Sequence, residues 1–279
     1  MQLEQVTKLV KTFPGMPGAA LKLLALMDDP GVTVPQIEEI LRQDAGLTAN
    51  LLKLANSAYF GIPSKVGSVR QAVILLGLKR VIQMVVAACT SAIMDRNIPG
   101  YDLPAGELWR HSLAVSVAAE GLVRELKLDA AEEIFTAALL HDVGKLILGQ
   151  FVQEDYSKIE LALAQGLPFE IAEAIVLGTD HAAIGAEVLS KWSLPDDIVH
   201  AVRWHHAPEK APRADAMLDV VHAANILCLM IGIGAGREGL QYKPSASVTG
   251  RLGLAPAHLE RVASQTLQWA NELSQVMES

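Results

Sequence analysis

The chain has 279 residues, enough for one large domain or two modest ones around a substantial core. Its hydrophobic fraction of 51% and mean hydropathy of +0.29 are high for a soluble protein but well short of a membrane protein. A net charge of −8, with Lys and Arg scattered and no basic stripe among aromatics, demotes nucleic acid as the main ligand.

Helical signals run through the whole sequence, and no stretch of alternating β-branched residues reads as a strand, so the expected class is all-α. Residues 1–13 carry Glu4, Lys8 and Lys11 and no long apolar run, so no signal peptide is expected. After the turn-rich Phe13–Gly18, Leu21, Leu24 and Met27 share a helix face. Thr33-Val34-Pro35 opens the next helix, with Pro35 in the first turn where its missing N–H is harmless. A further pattern over 48–60 ends at Gly61-Ile62-Pro63, and Ser68 is placed to cap Val69–Leu76. Gly77 separates that segment from a long apolar helix, Leu78–Met94. Its core, from Val81, is broken by Gln83, Thr90 and Ser91 and is too short for a bilayer about 30 Å thick. Cys89 and Cys228 both sit in apolar helical patterns, which argues against a disulfide framework. The expected location is the cytoplasm.

The strongest boundary is the Pro/Gly/Asp-rich stretch at 97–104, which divides the chain into 1–98 and 99–279, two helical subdomains packed on each other. All eight histidines follow it. Helices are expected near 105–125, 130–148, 153–165, 168–176, 180–192, 195–205, 214–232 and 255–277, with a mobile Gly/Ser-rich loop over 233–252.

Within the apolar run Ala138–Leu148, His141, Asp142 and Lys145 need partners, because unpaired polar groups in a core cost roughly 2–7 kcal/mol and charges more. A metal ion is the obvious partner for adjacent His and Asp. Glu107 and His111, four apart, project from one helix face. His181 stands near a helix start that Thr179 or Asp180 caps, and His205-His206 ends the helix after Pro195. N and O ligands from several helices suit Fe, Mn, Zn or Ni, as one ion or two. Asp142 can bridge two ions and so activate water for attack on phosphorus. Lys145 shares the face of His141 and Asp142, placed either to meet a phosphate or to snorkel to solvent. Glu107 reads as a ligand or as an exposed partner of Arg110 or His111, while His200, His222 and His258 read as ordinary core or surface histidines.

At these residues the chain resembles the HDOD family, a relative of the HD-domain metal-dependent phosphohydrolases. The resemblance runs from about Phe13 to Pro208 and is carried by Leu47–Gly61, Ser68–Val81, Leu140–Lys145, Leu177–Ala186 and Trp192–Pro195 leading to His205-His206. It implies an N-terminal helical subdomain, an HD-like helical subdomain and a role in bacterial signal transduction, as a regulatory or output module acting through a signalling protein partner. Against the related HD-GYP phosphodiesterases of cyclic di-GMP, Glu107, His111, His141, Asp142, His181, His205 and His206 have counterparts, which implies a metal site.

Two departures matter. Where the last helix of that family brings an Asp ligand, this chain has Asn225, with Asp219 and His222 as possible substitutes at three-residue steps. His205-His206 runs directly into Ala207-Pro208, without a Gly-Tyr-Pro loop, which argues against cyclic di-GMP hydrolysis. The leading expectation is therefore a protein-binding regulatory module with one or two divalent ions. The alternatives are a phosphohydrolase using Asp142 and Lys145 on a nucleotide or other phosphate ester, and a nucleotide sensor that does not hydrolyse its ligand. So apolar a chain also admits a homodimer. In the N-terminal half, Asn56, Ser57 and Tyr59 with Lys65, Arg70 and Lys79 read as a docking surface or, preferably, as helix caps and turn supports.

Overall fold

The computed structural model describes every residue except Met1, Met27, Asp28, Pro30, Gln43, Ala130, Ala131, Glu132, Ala235, Gly239, Leu240, Gln241, Lys243 and Ser279. Among the described residues the fold is all-α, with one isolated bridge between Ile98 and Leu103 and no strand. After α1 (Gln2–Thr12), a unit formed by Gly15–Ile93 and the chain from Gln268 onward holds α2 (Gly18–Leu24), α3 (Val34–Arg42), α4 (Ala45–Ala55), α5 (Val69–Leu76) and α6 (Leu78–Met94). Asp44 caps α4 by accepting from Leu47 N at 2.9 Å, and Ser68 caps α5 by accepting from Gln71 N at 3.2 Å. Met27, expected on the face of α2, lies outside the described residues.

The other unit, Met94–Leu267 with the segment up to Pro14, holds α7 (Glu107–Leu126), α8 (Ile134–Leu140), α9 (Lys145–Glu154), α10 (Tyr156–Leu163), α11 (Phe169–Leu177), α12 (His181–Lys191), α13 (Asp196–Trp204), α14 (Ala216–Met230) and α15 (Ala246–Leu252). A last helix, α16 (Pro256–Glu278), begins in this unit and ends in the other. Helices α7, α8, α13 and α14 pack on one another, and α12 closes on α9 and α13. Asp180 and Asp215 cap α12 and α14, so the chain enters both helices at defined angles.

Three local expectations change. The single helix expected over 130–148 is α8 and α9, joined by a tight turn at His141–Gly144 in which Val143 N donates to Leu140 O at 3.1 Å and Lys145 N to Asp142 O at 3.0 Å. Gly144 explains the corner: a Cβ there would lie 2.0 Å from His181 O, so only glycine lets the turn close on the start of α12. The mobile loop expected over 233–252 ends in an ordered helix, α15, capped by Ser245 Oγ accepting from Val248 N at 3.3 Å. Ala235, Gly239, Leu240, Gln241 and Lys243 of that stretch lie outside the described residues. Finally, a bilayer-length apolar stretch does exist at Ile134–Glu154, but 89% of its most apolar window is buried inside the fold, as befits a core element.

The segment up to Pro14, expected with the N-terminal subdomain, groups with the later helices. Lys191 Nζ donates to the carbonyls of Val10, Lys11 and Phe13 at 3.2, 2.7 and 2.9 Å, satisfying the C-terminal end of α1 with a cation. Beside it, the buried Trp192 stacks on Phe13 at 6.1 Å and donates its indole N–H to Pro14 O at 3.0 Å. Trp192→Ala is therefore expected to cost about 3–5 kcal/mol in a denaturant titration and, by freeing α1 to unwind, to let trypsin cut at the already exposed Lys8 and Lys11. Unchanged stability and an uncut α1 would contradict this anchoring.

Candidate metal centre

The site lies where α7, the α8–α9 turn, the start of α12 and the end of α13 meet. His141 and His205 reach it by one device. Each follows the last turn of a helix and donates Nδ1–H to the carbonyl three residues earlier, Ala138 O and Val202 O, both at 2.7 Å. That bond satisfies a free helix-end carbonyl, fixes the tautomer and leaves the Nε2 lone pair facing inward.

Asp142 stands at the centre, fully buried. Its Oδ2 faces His141 Nε2 at 3.3 Å and His111 Nε2 at 3.5 Å, while Oδ1 faces His181 Nε2 at 3.5 Å and His205 Nε2 at 3.6 Å. The donor atoms of Asp142, His181, His205 and His206 all lie within 4.8 Å of one another, as do those of His111, His141 and Asp142. Most of these separations exceed normal hydrogen-bond lengths. They match the roughly 3.0–3.5 Å between neighbouring ligands on an ion with bonds of about 2.0–2.2 Å. Among the described residues, His141 Nε2, His205 Nε2, His206 Nδ1 and Asp142 Oδ1 have no hydrogen-bond partner. Buried lone pairs converging without protons between them fit a cation, and imidazole with carboxylate suits a divalent transition metal.

Protonation follows from the surroundings. Burial pushes His111 down to about 3 and carries His205 and His206 well below the usual range, so all three are neutral. Burial opposes the charge on Asp142 too, but the positive charge around it, including the Lys145 ammonium 2.7 Å from Oδ2 and the His181 imidazolium, holds its carboxyl well below the usual range. His181 goes the other way. Burial lowers it, yet the Glu173 carboxylate accepts from both Nδ1 (2.7 Å) and the backbone N–H (2.9 Å) and lifts it to about 9. An imidazolium there explains the 2.8 Å approach of His181 Nε2 to His206 Nε2, since one of the two must donate.

The residues singled out from the sequence thus divide. His111, His141, Asp142, His181, His205 and His206 come together; Glu107 does not, because its half-buried carboxylate pairs with Arg110 at 3.0 Å on the same turn of α7. Asn225 does reach the site, 3.1 Å from His111 Nε2, whereas Asp219 is held by Arg251 through two 2.6 Å hydrogen bonds. His222 supports the site from behind, with Nδ1 2.7 Å from His205 O and Nε2 accepting from Ser245 N. Lys145 is buried rather than snorkelling, bound to Asp142 and to Glu238. In the N-terminal unit, Asn56 acts as a brace, donating to Leu52 O and Val66 O and accepting from Val66 N at 2.7 Å; a cavity of 710 Å³ beside it is flanked by Lys53 and Lys65.

Three participants were not anticipated. Glu173 is buried between His181 and the Tyr101 hydroxyl, Glu238 meets Lys145, and the Tyr242 ring stacks on His206 at 4.8 Å. A signal for Glu173 existed: on α11 it shares a face with Phe169, Ala172 and Leu177, while Ile175 points outward, 63% exposed.

Comparison with known proteins shows the family. The HDOD domain profile matches residues 13–208, most of the chain. The chain belongs to the HDOD domain family. An HDOD domain protein of unknown function from Geobacter sulfurreducens is 25% identical with a TM-score of 0.73, the match covering 99% of this chain and 92% of that one. A candidate phosphohydrolase from Shewanella amazonensis SB2B has the same TM-score at 23% identity, over 98% of this chain and 97% of that one, and so shares the fold. An uncharacterised protein of Treponema pallidum (strain Nichols) is 25% identical over 205 residues, 73% of this HDOD chain but 39% of that longer relative.

Glu173→Gln tests the electrostatics. Leaving the His181 imidazolium without its carboxylate is expected to cost the metal-free HDOD protein about 3–5 kcal/mol in urea denaturation at neutral pH. Because the native His181 is raised from 6.5 to about 9, this stabilisation is complete below 6.5 and fades as pH rises through about 9. The gap between wild type and variant should close over that window; a gap independent of pH would show that the pair is not charged.

Proposed function

We propose that this HDOD protein is a bacterial signal-transduction module acting through a protein partner, with its His/Asp cluster holding one divalent ion in a structural role. The observation that carries this reading is closure. His111, His141, Asp142, His181, His205 and Lys145 are each no more than 1% exposed, and only His206 is partly accessible, beneath Tyr242. Lys145 is already engaged by two carboxylates and lies 5.4 Å from the Tyr101 ring, so its charge is spent inside the protein. Asp142, His205, His206 and, once its Nε2 proton is displaced by the ion, His181 offer a four-ligand set, whereas His111 and His141 share with Lys145 the Oδ2 that a second ion would need. Repulsion from that ammonium disfavours a second cation, which supports one ion rather than two. An Fe, Mn, Zn or Ni ion bound there would tie the α8–α9 turn to α12 and α13 and stabilise the folded state directly. Exposed apolar side chains support a protein partner: Ile74 (72%) and Leu75 (46%) on α5, and Leu161 (67%) on α10.

A second reading, a metal-dependent phosphohydrolase on a nucleotide or other phosphate ester, draws on one feature: Asp142 turns a separate oxygen to each histidine group. A bound ion would there supply Lewis acidity toward a phosphoryl oxygen, with Asp142 holding it and Lys145 beside it.

Elemental analysis of the purified protein should find about one transition metal per chain. At a hundredfold excess over Kd the ion should add about 2.7 kcal/mol, or roughly 5–10 °C in Tm, lost on chelation. No phosphate should be released from phosphate esters, nucleotides or cyclic dinucleotides. Metal-dependent release abolished in Asp142→Asn would establish the hydrolase instead, and absence of metal with no effect of chelator would remove the metal from both readings.

A further inference from the structure

Beside the cluster lies a buried ion pair that metal binding does not require. Glu238, 2% exposed, meets Lys145 from the segment between α14 and α15, and its Oε2 has no hydrogen-bond partner among the described residues. A fully buried carboxylate with a free oxygen is a costly way to neutralise a lysine that Asp142 already pairs at 2.7 Å. Described residues near it in the chain are nevertheless anchored. Arg237 N donates to Tyr101 O at 2.9 Å, Ile233 O lies 2.9 Å from His111 Nδ1, and the Tyr242 hydroxyl donates to Glu170 at 3.0 Å. Gly234, at φ +71°, passes so close to His111 that a Cβ would lie 2.5 Å from the ring.

The geometry points to Glu238 as an internal oxyanion: its carboxylate fills an anion position on Lys145 next to the metal cluster, and an external phosphate or carboxylate group takes that position only when Glu238 vacates it. This rests on the reading of the cluster and Lys145 as one closed site. It adds what closes the site and what chemistry competes for it. The ammonium has three N–H donors, bonds both Asp142 and Glu238 and lies 5.4 Å from the Tyr101 ring, a setting in which one oxyanion can replace another and a neutral molecule gains little. Truncation of Glu238 to Ala removes one methylene and one carboxylate, the volume of acetate and close to that of phosphate.

The test compares the wild type, Glu238→Ala, Glu238→Gln and the double variant Glu238→Ala/Lys145→Met by thermal unfolding. Inorganic phosphate or acetate is titrated against chloride at constant ionic strength. Metal content is measured on each sample, and each is also run after chelation. The inference expects phosphate or acetate to raise the Tm of Glu238→Ala by several degrees, while the wild type, Glu238→Gln (whose amide still fills the space) and the double variant do not respond. If Glu238→Ala folds only with an oxyanion present, that is the same result in stronger form. The inference is overturned if phosphate and acetate leave Glu238→Ala unchanged, if the variant stays unfolded in both, or if the wild type responds equally. Oxyanion rescue in protein that holds no metal as purified and does not respond to chelator sustains the role of Glu238 and defeats the metal reading; metal binding without rescue does the reverse.

Discussion

One buried carboxylate sets the terms for the rest of this structure. Asp142 is ionised in a core where an isolated charge costs several kcal/mol, so the surrounding fold must compensate on every side. Lys145 does so directly, one helical turn along the chain. The four imidazoles facing its two oxygens come from α7, the α8–α9 turn, α12 and the end of α13. Those same elements form the helical core of the unit, so the packing of the core and the assembly of the site are a single problem.

Backbone geometry serves that requirement. Had α8 continued unbroken into α9, His141 would have lain under a further helical turn, its preceding carbonyl committed to the helix. The tight turn frees Ala138 O to receive His141 Nδ1–H, and the same economy is repeated at Val202 and His205. Gly144 is the cost of that turn, since any side chain there would strike the backbone at His181. Behind the ligands stands an outer layer of acids and aromatics that fixes charge: Glu173 with Tyr101, Glu170 with Tyr242, and Glu238 on Lys145.

Much of this could be read from the residues. The adjacent His141 and Asp142, the His205-His206 pair, and the caps at Ser68 and Asp180 are local signals, written within one or two helical turns, and the fold has them together, whereas the helix expected to carry His141 and Lys145 on one face breaks before α9. What eluded reading is non-local or inverted. Glu107 lies one turn before His111 on the same face of α7, but its carboxylate is taken by Arg110, three residues along the helix. The Lys191 anchor on α1 joins residues 178–181 positions apart, which no periodicity reveals. Glu173 and Ile175 exchange the sides that hydropathy assigns them, because the carboxylate is wanted inside by His181. Glu238 belongs to a glycine-rich stretch whose composition signals a loop but not its burial.

The family resemblance and the geometry point to the same residues as the place where an ion would bind. A buried His/Asp cluster that could hold an ion is present, yet Asn225 stands where the resemblance implies an acid, and Asp142 and Glu238 both engage Lys145. X-ray absorption at the metal edge of the purified, metal-loaded protein tests this directly. A first shell of imidazole nitrogens with a carboxylate oxygen at about 2.0–2.2 Å, diminished in His205→Ala, is the expected result. A shell of water oxygens alone, or one containing sulfur, would contradict it.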